Sequence, residues 1–177
     1  MNSLLARSLV SCSISEKLND VTTEFPHLIE LASSWRKAGA RIVLCHGCFD
    51  PLHIGHLRHF VAASKFGDRL LVTVTADEHV KKGPRRPLFA QDLRIEMVAA
   101  IKYVSAAAIN PCESAVETIR QLRPHFFVKG ADYQNSENCN PNFLLEAAEV
   151  RRIGGKVVFT DELKFSSTEV IQWMGSH

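Results

Sequence analysis

The 177-residue chain has no long hydrophobic run and no block of like charge. No apolar stretch approaches the ~18 residues of a membrane-spanning helix, so we expect a soluble, cytoplasmic protein without a membrane partner. No run of lysine or arginine exceeds two residues and the formal net charge is only +2. Charge therefore does not indicate a nucleic-acid-binding surface.

The chain also lacks the cysteine pattern of a disulfide framework or a zinc site. Its five cysteines are an odd number and scattered, which favours reduced thiols in the cytosol. Cys45 and Cys48 form a single C-x-x-C, so a redox pair stays open as an alternative. No second pair follows at the spacing that a zinc site requires.

The composition, 46% hydrophobic residues, is sufficient for one core, and the length is too small for two full domains. Residues 1–24 have no firm periodicity, and we predict that they form a flexible N-terminal extension. Residues 25–177 are predicted to form a single domain, with a helix over 25–38 and a core over 39–177.

Short apolar segments alternate with segments of helical spacing, which predicts a doubly wound α/β domain with a five-stranded parallel sheet covered on both faces. One predicted helix has Leu93, Met97, Val98 and Ile101 on its inner face, and another has Ser114 as its N-cap. The predicted strands are 41–45, 69–75, 103–109, 126–128 and 157–159, and the predicted helices are 25–37, a segment from 57 to 66, 91–101, 114–122, 143–153 and 166–174.

Polar residues follow several of these strands, and in a doubly wound sheet ligands bind outside the carboxyl ends of the strands. Residues 46–56 follow the first strand, Asp77 and the basic loop 79–88 follow the second, and residues 129–132 follow the fourth. His53 and His56 lie where a helix begins, beside free backbone N–H groups that attract phosphate. The combination predicts a site that holds a polyphosphate.

The segment Gly47-Cys48-Phe49-Asp50-Pro51-Leu52-His53-Ile54-Gly55-His56 fits the G-x-F-D-x-x-H-x-G-H signature of the HxGH nucleotidyltransferases. Across residues 39–171 the chain resembles the cytidylyltransferase-like branch. It is most similar to the adenylyltransferase domains of ADP-heptose synthases, including V-K-G-A-D-Y at 128–133, and more distantly to glycerol-3-phosphate cytidylyltransferases. The resemblance implies a Rossmann-like nucleotidyltransferase that joins a nucleoside triphosphate to a phosphate monoester, with Mg²⁺ as cofactor and a homodimer as the assembly.

The resemblance also implies roles for individual residues. It implies that His53, His56, Lys82 and Thr168 are catalytic, and that Asp77 and Lys82 bind the acceptor substrate. It implies no protein-held metal. The residues that it places at the nucleotide and its phosphates are Gly47, Cys48, Phe49, Asp50, Gly55, Arg94, Lys129, Gly130, Asp132, Ser166 and Ser167.

Three alternatives remain open at this stage. The favoured function is transfer of AMP from ATP to a heptose-1-phosphate-like sugar phosphate, and the runner-up is a cytidylyltransferase that uses CTP and glycerol phosphate or another monoester. Phe165 and Gln172 stand where related enzymes often have isoleucine and arginine, which keeps open a non-catalytic nucleotide-binding regulatory subunit. The third is the Cys45–Cys48 redox protein.

Overall fold

The computed structural model describes residue 21 and residues 24–83, 86–134 and 141–161. Within these ranges, five helices alternate with five strands, and short 3-10 turns follow α2, β2 and β4. The elements are α1 (Phe25–Lys37), β1 (Ile42–Gly47), α2 (Ile54–Ala63), β2 (Arg69–Thr75), α3 (Gln91–Ala99), β3 (Ala106–Asn110), α4 (Val116–Leu122), β4 (Phe126–Gly130), α5 (Pro141–Arg152) and β5 (Lys156–Thr160).

The five strands form one parallel sheet in the order β3-β2-β1-β4-β5. Alternate strand residues point to opposite faces, so two hydrophobic clusters form. One contains Leu44 and Phe127 with α1, α4 and α5, and the other contains Val43 and Val128 with α2 and α3. The predicted doubly wound α/β fold is confirmed. The strand order reverses between β1 and β4, and this switch point is where ligands bind in such sheets.

Three local predictions were wrong. β3 begins at Ala106 rather than 103, and Tyr103 before it is 42% exposed. Leu93 does not face the core, because the buried residues of α3 are Arg94, Ile95, Val98 and Ala99. α4 begins at Val116 with Ala115 as its N-cap rather than Ser114.

The predicted C-terminal helix 166–174 lies outside the described residues, as do residues 1–20 of the predicted extension. Val21 is described, and its carbonyl accepts a hydrogen bond of 2.8 Å from the backbone of Ala107 in β3. In the described part of the chain, no helix combines the length and the apolar character needed to cross a membrane.

Close contact between two chain segments sets where β1 and β2 begin. Arg41 N–H donates to the Asp68 carboxylate at 2.8 Å, and Asp68 N–H donates back to the Arg41 carbonyl at 2.9 Å. Gly67 permits this approach, since a Cβ there would lie 2.6 Å from the Arg41 carbonyl oxygen. β1 and β2 run parallel from this point, so the contact also sets the register between them. The relative positions of their carboxyl ends follow from that register.

We therefore expect Gly67→Ala to lower the free energy of unfolding by about 1–3 kcal/mol, the usual cost of inserting a methyl group where packing is complete. Urea denaturation measures the change. Lys65→Ala is the control, because that side chain is exposed on the preceding turn and should change stability by less than about 0.5 kcal/mol. A Gly67→Ala protein as stable as this control would contradict the steric account.

Candidate active site

His53 and His56 lie at the N-terminus of α2, and both rings accept hydrogen bonds from backbone N–H groups there. His53 is the N-cap, and its Nδ1 accepts the Gly55 N–H at 3.1 Å. His56 Nδ1 accepts the His53 N–H at 3.3 Å, so the two residues form a reciprocal capping box. The rings stack with centroids 3.8 Å apart. The arrangement holds both imidazoles side by side at the start of the helix.

This capping geometry decides which ring nitrogen carries hydrogen. An Nδ1 that accepts a backbone N–H is unprotonated, so each neutral ring is assigned its hydrogen on Nε2. Burial, followed by the charges of His53, Lys82 and His59, lowers the pKa of His56 to about 3. Burial and Lys82 also lower the pKa of His53. At pH 7 without ligand, both residues are therefore neutral Nε2–H donors.

Asp50 lies beneath this corner and holds the basic loop. Its buried carboxylate accepts the backbone N–H groups of Leu88 at 2.9 Å and Phe89 at 3.1 Å. The Arg86 guanidinium lies 2.8 Å from the same carboxylate and also donates to the Asp50 carbonyl. The carboxylate is thus engaged by the protein. Its predicted contact with the nucleotide stays a prediction, whereas its role in positioning the loop is visible.

Arg94 is fully buried, and each nitrogen of its guanidinium has an acceptor. Nη1 donates to the Cys48 carbonyl at 2.6 Å, Nη2 to the Thr75 carbonyl at 2.8 Å and Nε to the Phe89 carbonyl at 2.9 Å. Asp77 receives a further bond from Nη2 at 2.5 Å. No guanidinium donor faces solvent, and the predicted contact of Arg94 with phosphate stays a prediction.

The acceptor-binding role predicted for Asp77 also stays a prediction. Besides the bond from Arg94, its carboxylate accepts the Gln91 N–H at 3.1 Å at the start of α3. The side chain is 39% exposed. Asp77 therefore joins the end of β2 to α3 and retains a solvent-facing edge.

A cavity of about 460 Å³ opens at the carboxyl ends of the central strands, beside the switch point. It is lined by His46, Gly47 and Cys48 after β1, by Thr75 and residues 79–82 after β2, and by Lys129 and Tyr133 after β4. Glu113 and the beginning of α5 complete the wall. The cavity lies on the α4 and α5 face, whereas the two capping histidines start α2 on the other face.

Lys82 connects the cavity with the histidine pair. Its side chain lines the cavity and is exposed, and its charge contributes to the lowered pKa of both His53 and His56. The neighbouring Lys81 is paired with Glu113 across the cavity wall. A phosphate at Lys82 would therefore lie at the cavity, within electrostatic reach of the two imidazole donors.

The floor of the cavity combines Lys129, whose predicted contact with the nucleotide stays a prediction, with His46 and Glu146, which the sequence analysis did not select. Lys129 is buried, with Nζ 3.1 Å from the Glu146 carboxylate and 3.4 Å from the His46 carbonyl. His46 Nδ1 bonds the Thr73 hydroxyl at 3.0 Å, and burial followed by the Lys129 charge lowers its pKa to about 4. Glu146 escaped notice because a glutamate on an amphipathic helix resembles a solvated residue.

The glycines of the two motifs make room for side chains that fold back over them. A Cβ on Gly47 would lie 3.1 Å from the Phe49 ring, which packs edge-on against His56 at 5.2 Å. A Cβ on Gly130 would lie 2.5 Å from an Asp132 carboxylate oxygen. Asp132 is exposed beyond β4. Ser166, Ser167 and Thr168 lie outside the described residues, so their predicted phosphate contacts stay predictions.

The geometry does not favour the redox alternative. Cys45, Cys48 and Cys112 are free thiols, and Cys45 is fully buried. Burial is the main cause that raises the pKa of both Cys45 and Cys48, so the reactive thiolate is disfavoured. The side chain of Cys45 belongs to the hydrophobic cluster on the α2 and α3 face.

Comparison with known proteins identifies the family. A family model described as cytidylyltransferase-like matches residues 44–172. The chain belongs to the cytidylyltransferase-like family. This membership confirms the predicted family and its enzyme class, nucleotidyltransferase, while the nucleotide and the acceptor are separate questions.

Two curated relatives of this cytidylyltransferase-like chain are much longer than the chain itself. Bifunctional protein HldE of Gluconobacter oxydans (strain 621H) is 36% identical over 140 residues, which are 78% of this chain and 28% of that protein. Bifunctional protein HldE of Koribacter versatilis (strain Ellin345) is 38% identical over 148 residues, 82% of this chain and 29% of that protein. The chain thus spans less than a third of the length of these relatives.

A solved structure supports the fold of this cytidylyltransferase-like chain. The crystal structure of the lipopolysaccharide core biosynthesis protein from Thermoplasma volcanium GSS1 superposes with a TM-score of 0.60 at 23% identity. The alignment covers 71% of this chain and 100% of that chain. At this identity the likeness concerns the fold alone.

His59 provides a test of the electrostatics of the site. It lies on α2, its Nδ1 is 2.9 Å from the Thr160 hydroxyl, and burial followed by the Lys129 charge lowers its pKa to about 4. The unfolded chain, with an ordinary histidine pKa near ~6.5, binds this proton first. The stability that depends on a neutral His59 is therefore fully present above pH ~6.5 and is lost as the pH falls toward 4.

His59→Gln should make the pH dependence of the unfolding free energy shallower between pH ~6.5 and ~4.5, by up to about 1.4 kcal/mol per pH unit for one proton. Urea denaturation at several pH values measures the slope. His27→Gln is the control, because His27 is exposed on α1. A slope that is unchanged in His59→Gln would contradict the proposed burial of a neutral imidazole.

Proposed function

We propose that the protein transfers AMP from ATP to a heptose-1-phosphate-like sugar phosphate and releases pyrophosphate. The observation that carries this proposal is the pair of neutral Nε2–H donors at the start of α2, beside a cavity lined with lysines. In the reaction, a phosphate oxygen of the acceptor attacks the α-phosphorus of ATP, a new P–O bond forms, and the bond between the α-phosphorus and the bridging oxygen breaks. The electron pair leaves with pyrophosphate.

The chain's residues would act by positioning and by neutralising charge. His53 and His56 would donate from Nε2 to the triphosphate oxygens, where negative charge increases in the transition state. Lys82, which lines the cavity near both rings, would supply the positive charge that the neutral rings lack. Such transfers need no covalent enzyme intermediate, because the acceptor phosphate already carries the attacking oxygen.

Magnesium would enter with the triphosphate. Within the described ranges, no three histidine, cysteine or carboxylate side chains are assembled as metal ligands. Asp50, the carboxylate of the signature, is occupied by backbone N–H groups and Arg86. Mg²⁺ prefers oxygen ligands and is commonly bound through substrate phosphates, so we treat it as part of the co-substrate.

The nucleotide and the assembly are the finer parts of the proposal. The segment 128–133, V-K-G-A-D-Y, resembles heptose adenylyltransferases and favours ATP over CTP. A homodimer follows from the same resemblance and is tested by light scattering, where a monomer would contradict it. Pyrophosphate release measured with each nucleoside triphosphate separates ATP from CTP, and glycerol phosphate is the acceptor that tests the cytidylyltransferase alternative.

Replacing His56 with alanine should lower turnover by about 10² or more, because it removes a donor to the transition state. The measurement is pyrophosphate release at saturating nucleotide. The control is His27→Ala, which changes an exposed histidine on α1 and should leave turnover unchanged. Unaltered pyrophosphate release in His56→Ala would remove the basis of the proposal, and tight nucleotide binding without any turnover in the wild type would favour the regulatory alternative.

A further inference from the structure

Glu146 is a carboxylate buried at the cavity floor, only 3% exposed. Its Oε1 accepts the backbone N–H of Ala115, the N-cap of α4, at 3.0 Å. Its Oε2 lies 3.1 Å from Lys129 Nζ. Among the described residues, that oxygen has no aligned hydrogen bond, so the contact with Lys129 is an ion pair. A carboxylate offers about four acceptor positions, and this one has capacity left.

The ion pair between Glu146 and Lys129 is expected to contribute little to the stability of the fold. The other buried residues on the inner face of α5 include Phe143, Ala147 and Val150, which belong to the hydrophobic core. A buried ion pair is often no more stabilising than apolar residues of similar volume, because both charges lose their hydration. Core packing alone therefore does not account for a charged pair on this face. Its place in the cavity wall suits a ligand instead.

The cavity has two chemically different ends. Near the mouth, the exposed Lys82 lines the wall and provides a positive charge for a phosphate. At the floor, Glu146 and Lys129 provide an acceptor and a donor, and the Lys129 ammonium lies 4.8 Å from the centre of the Phe127 ring and 5.0 Å from that of Tyr133. An acceptor substrate whose phosphate binds at Lys82 would therefore extend its carbon skeleton toward Glu146.

We propose that Glu146 determines acceptor specificity by accepting a hydrogen bond from a hydroxyl group of the acceptor, with Lys129 donating to a neighbouring oxygen. This inference rests on the proposed function and specifies how its acceptor is selected. It requires a polyhydroxylated phosphate monoester. The cavity of about 460 Å³ lies within the ~300–1,000 Å³ range of small-ligand sites and is suited to a monosaccharide phosphate.

A site built to bind a hydroxyl discriminates strongly against an analogue that lacks it, because its own buried polar groups are then left without a partner. The experiment compares heptose 1-phosphate with its monodeoxy analogues in the pyrophosphate-release assay. In the wild type, one deoxy position should lower kcat/KM at least about 10-fold. In Glu146→Gln, kcat/KM should fall for heptose 1-phosphate and stay unchanged for that deoxy analogue. The kcat/KM values of the two acceptors should then differ by less than about threefold.

The KM for the nucleotide provides a second readout. It should stay within about twofold in Glu146→Gln, and a larger rise would place Glu146, through its partner Lys129, at the nucleotide and overturn the inference. Glu149→Gln is the matched control. Glu149 lies one turn further along α5 and pairs with Arg120 and Arg152 instead of lining the cavity. It should keep the wild-type penalty for every deoxy analogue. If Glu146→Gln does not fold, Glu146→Asp is used in its place. This variant keeps the carboxylate but shortens the side chain by one methylene group, and its deoxy penalties are compared with those of the wild type in the same assay.

The outcomes separate this inference from the proposed function. A wild-type enzyme that is active with heptose 1-phosphate but shows the same deoxy penalties as its Glu146 variant would overturn the role of Glu146 alone. Activity only with acceptors that have no hydroxyl group would also overturn it while leaving nucleotidyl transfer in place. Absence of pyrophosphate release with every acceptor and nucleotide would instead overturn the proposed function and the inference with it.

Discussion

The buried guanidinium of Arg94 holds together the segments from which the site is built. It bonds the carbonyl groups of Cys48 after β1, Thr75 at the end of β2 and Phe89 before α3. A buried charge is tolerated only when its hydrogen-bonding groups are satisfied, and here all three types of nitrogen are. Asp50 adds a second attachment by bonding the backbone of Leu88 and Phe89. The basic loop is thereby joined to the corner that starts α2.

Two kinds of side chain provide the electrostatic contacts of the site, neutral histidines and charged lysines. The capping histidines are held neutral by burial and by nearby positive charge, and their Nε2–H groups are donors of fixed direction. Positive charge comes from lysines, with Lys82 at the cavity mouth and Lys129 at its floor. A polyphosphate needs both, since directed donors hold its geometry and ammonium groups balance its charge.

The architecture could be predicted from the sequence because each strand is a nearly continuous apolar run and each helix has helical spacing. The second strand was predicted with its observed bounds, Arg69–Thr75. The positions of His53 and His56 at a helix start were also predictable, since a strand and a turn precede them. The reciprocal capping was not, because it depends on ring orientation, and neither was the positive φ of 50° at Phe49.

One of the wrong predictions lies beside a buried charged residue. Leu93 was interpreted as a core residue but is 51% exposed, because its neighbour Arg94 takes the inner face of α3. Glu146 was passed over because an acidic residue on a helix is usually solvated. Both buried charged residues have partners that are distant along the chain, since Cys48 is 46 residues from Arg94 and Ala115 is 31 residues from Glu146.

The central claim, that His53 and His56 are neutral Nε2–H donors to a triphosphate, is tested most directly by long-range ¹H–¹⁵N NMR of the imidazole rings. At pH 7 the account predicts an unprotonated Nδ1 and a protonated Nε2 in both residues. It also predicts that addition of ATP shifts both Nε2 resonances and leaves those of exposed His27 unchanged. Protonated Nδ1 atoms in the free protein, or Nε2 resonances that do not respond to ATP or CTP, would contradict it.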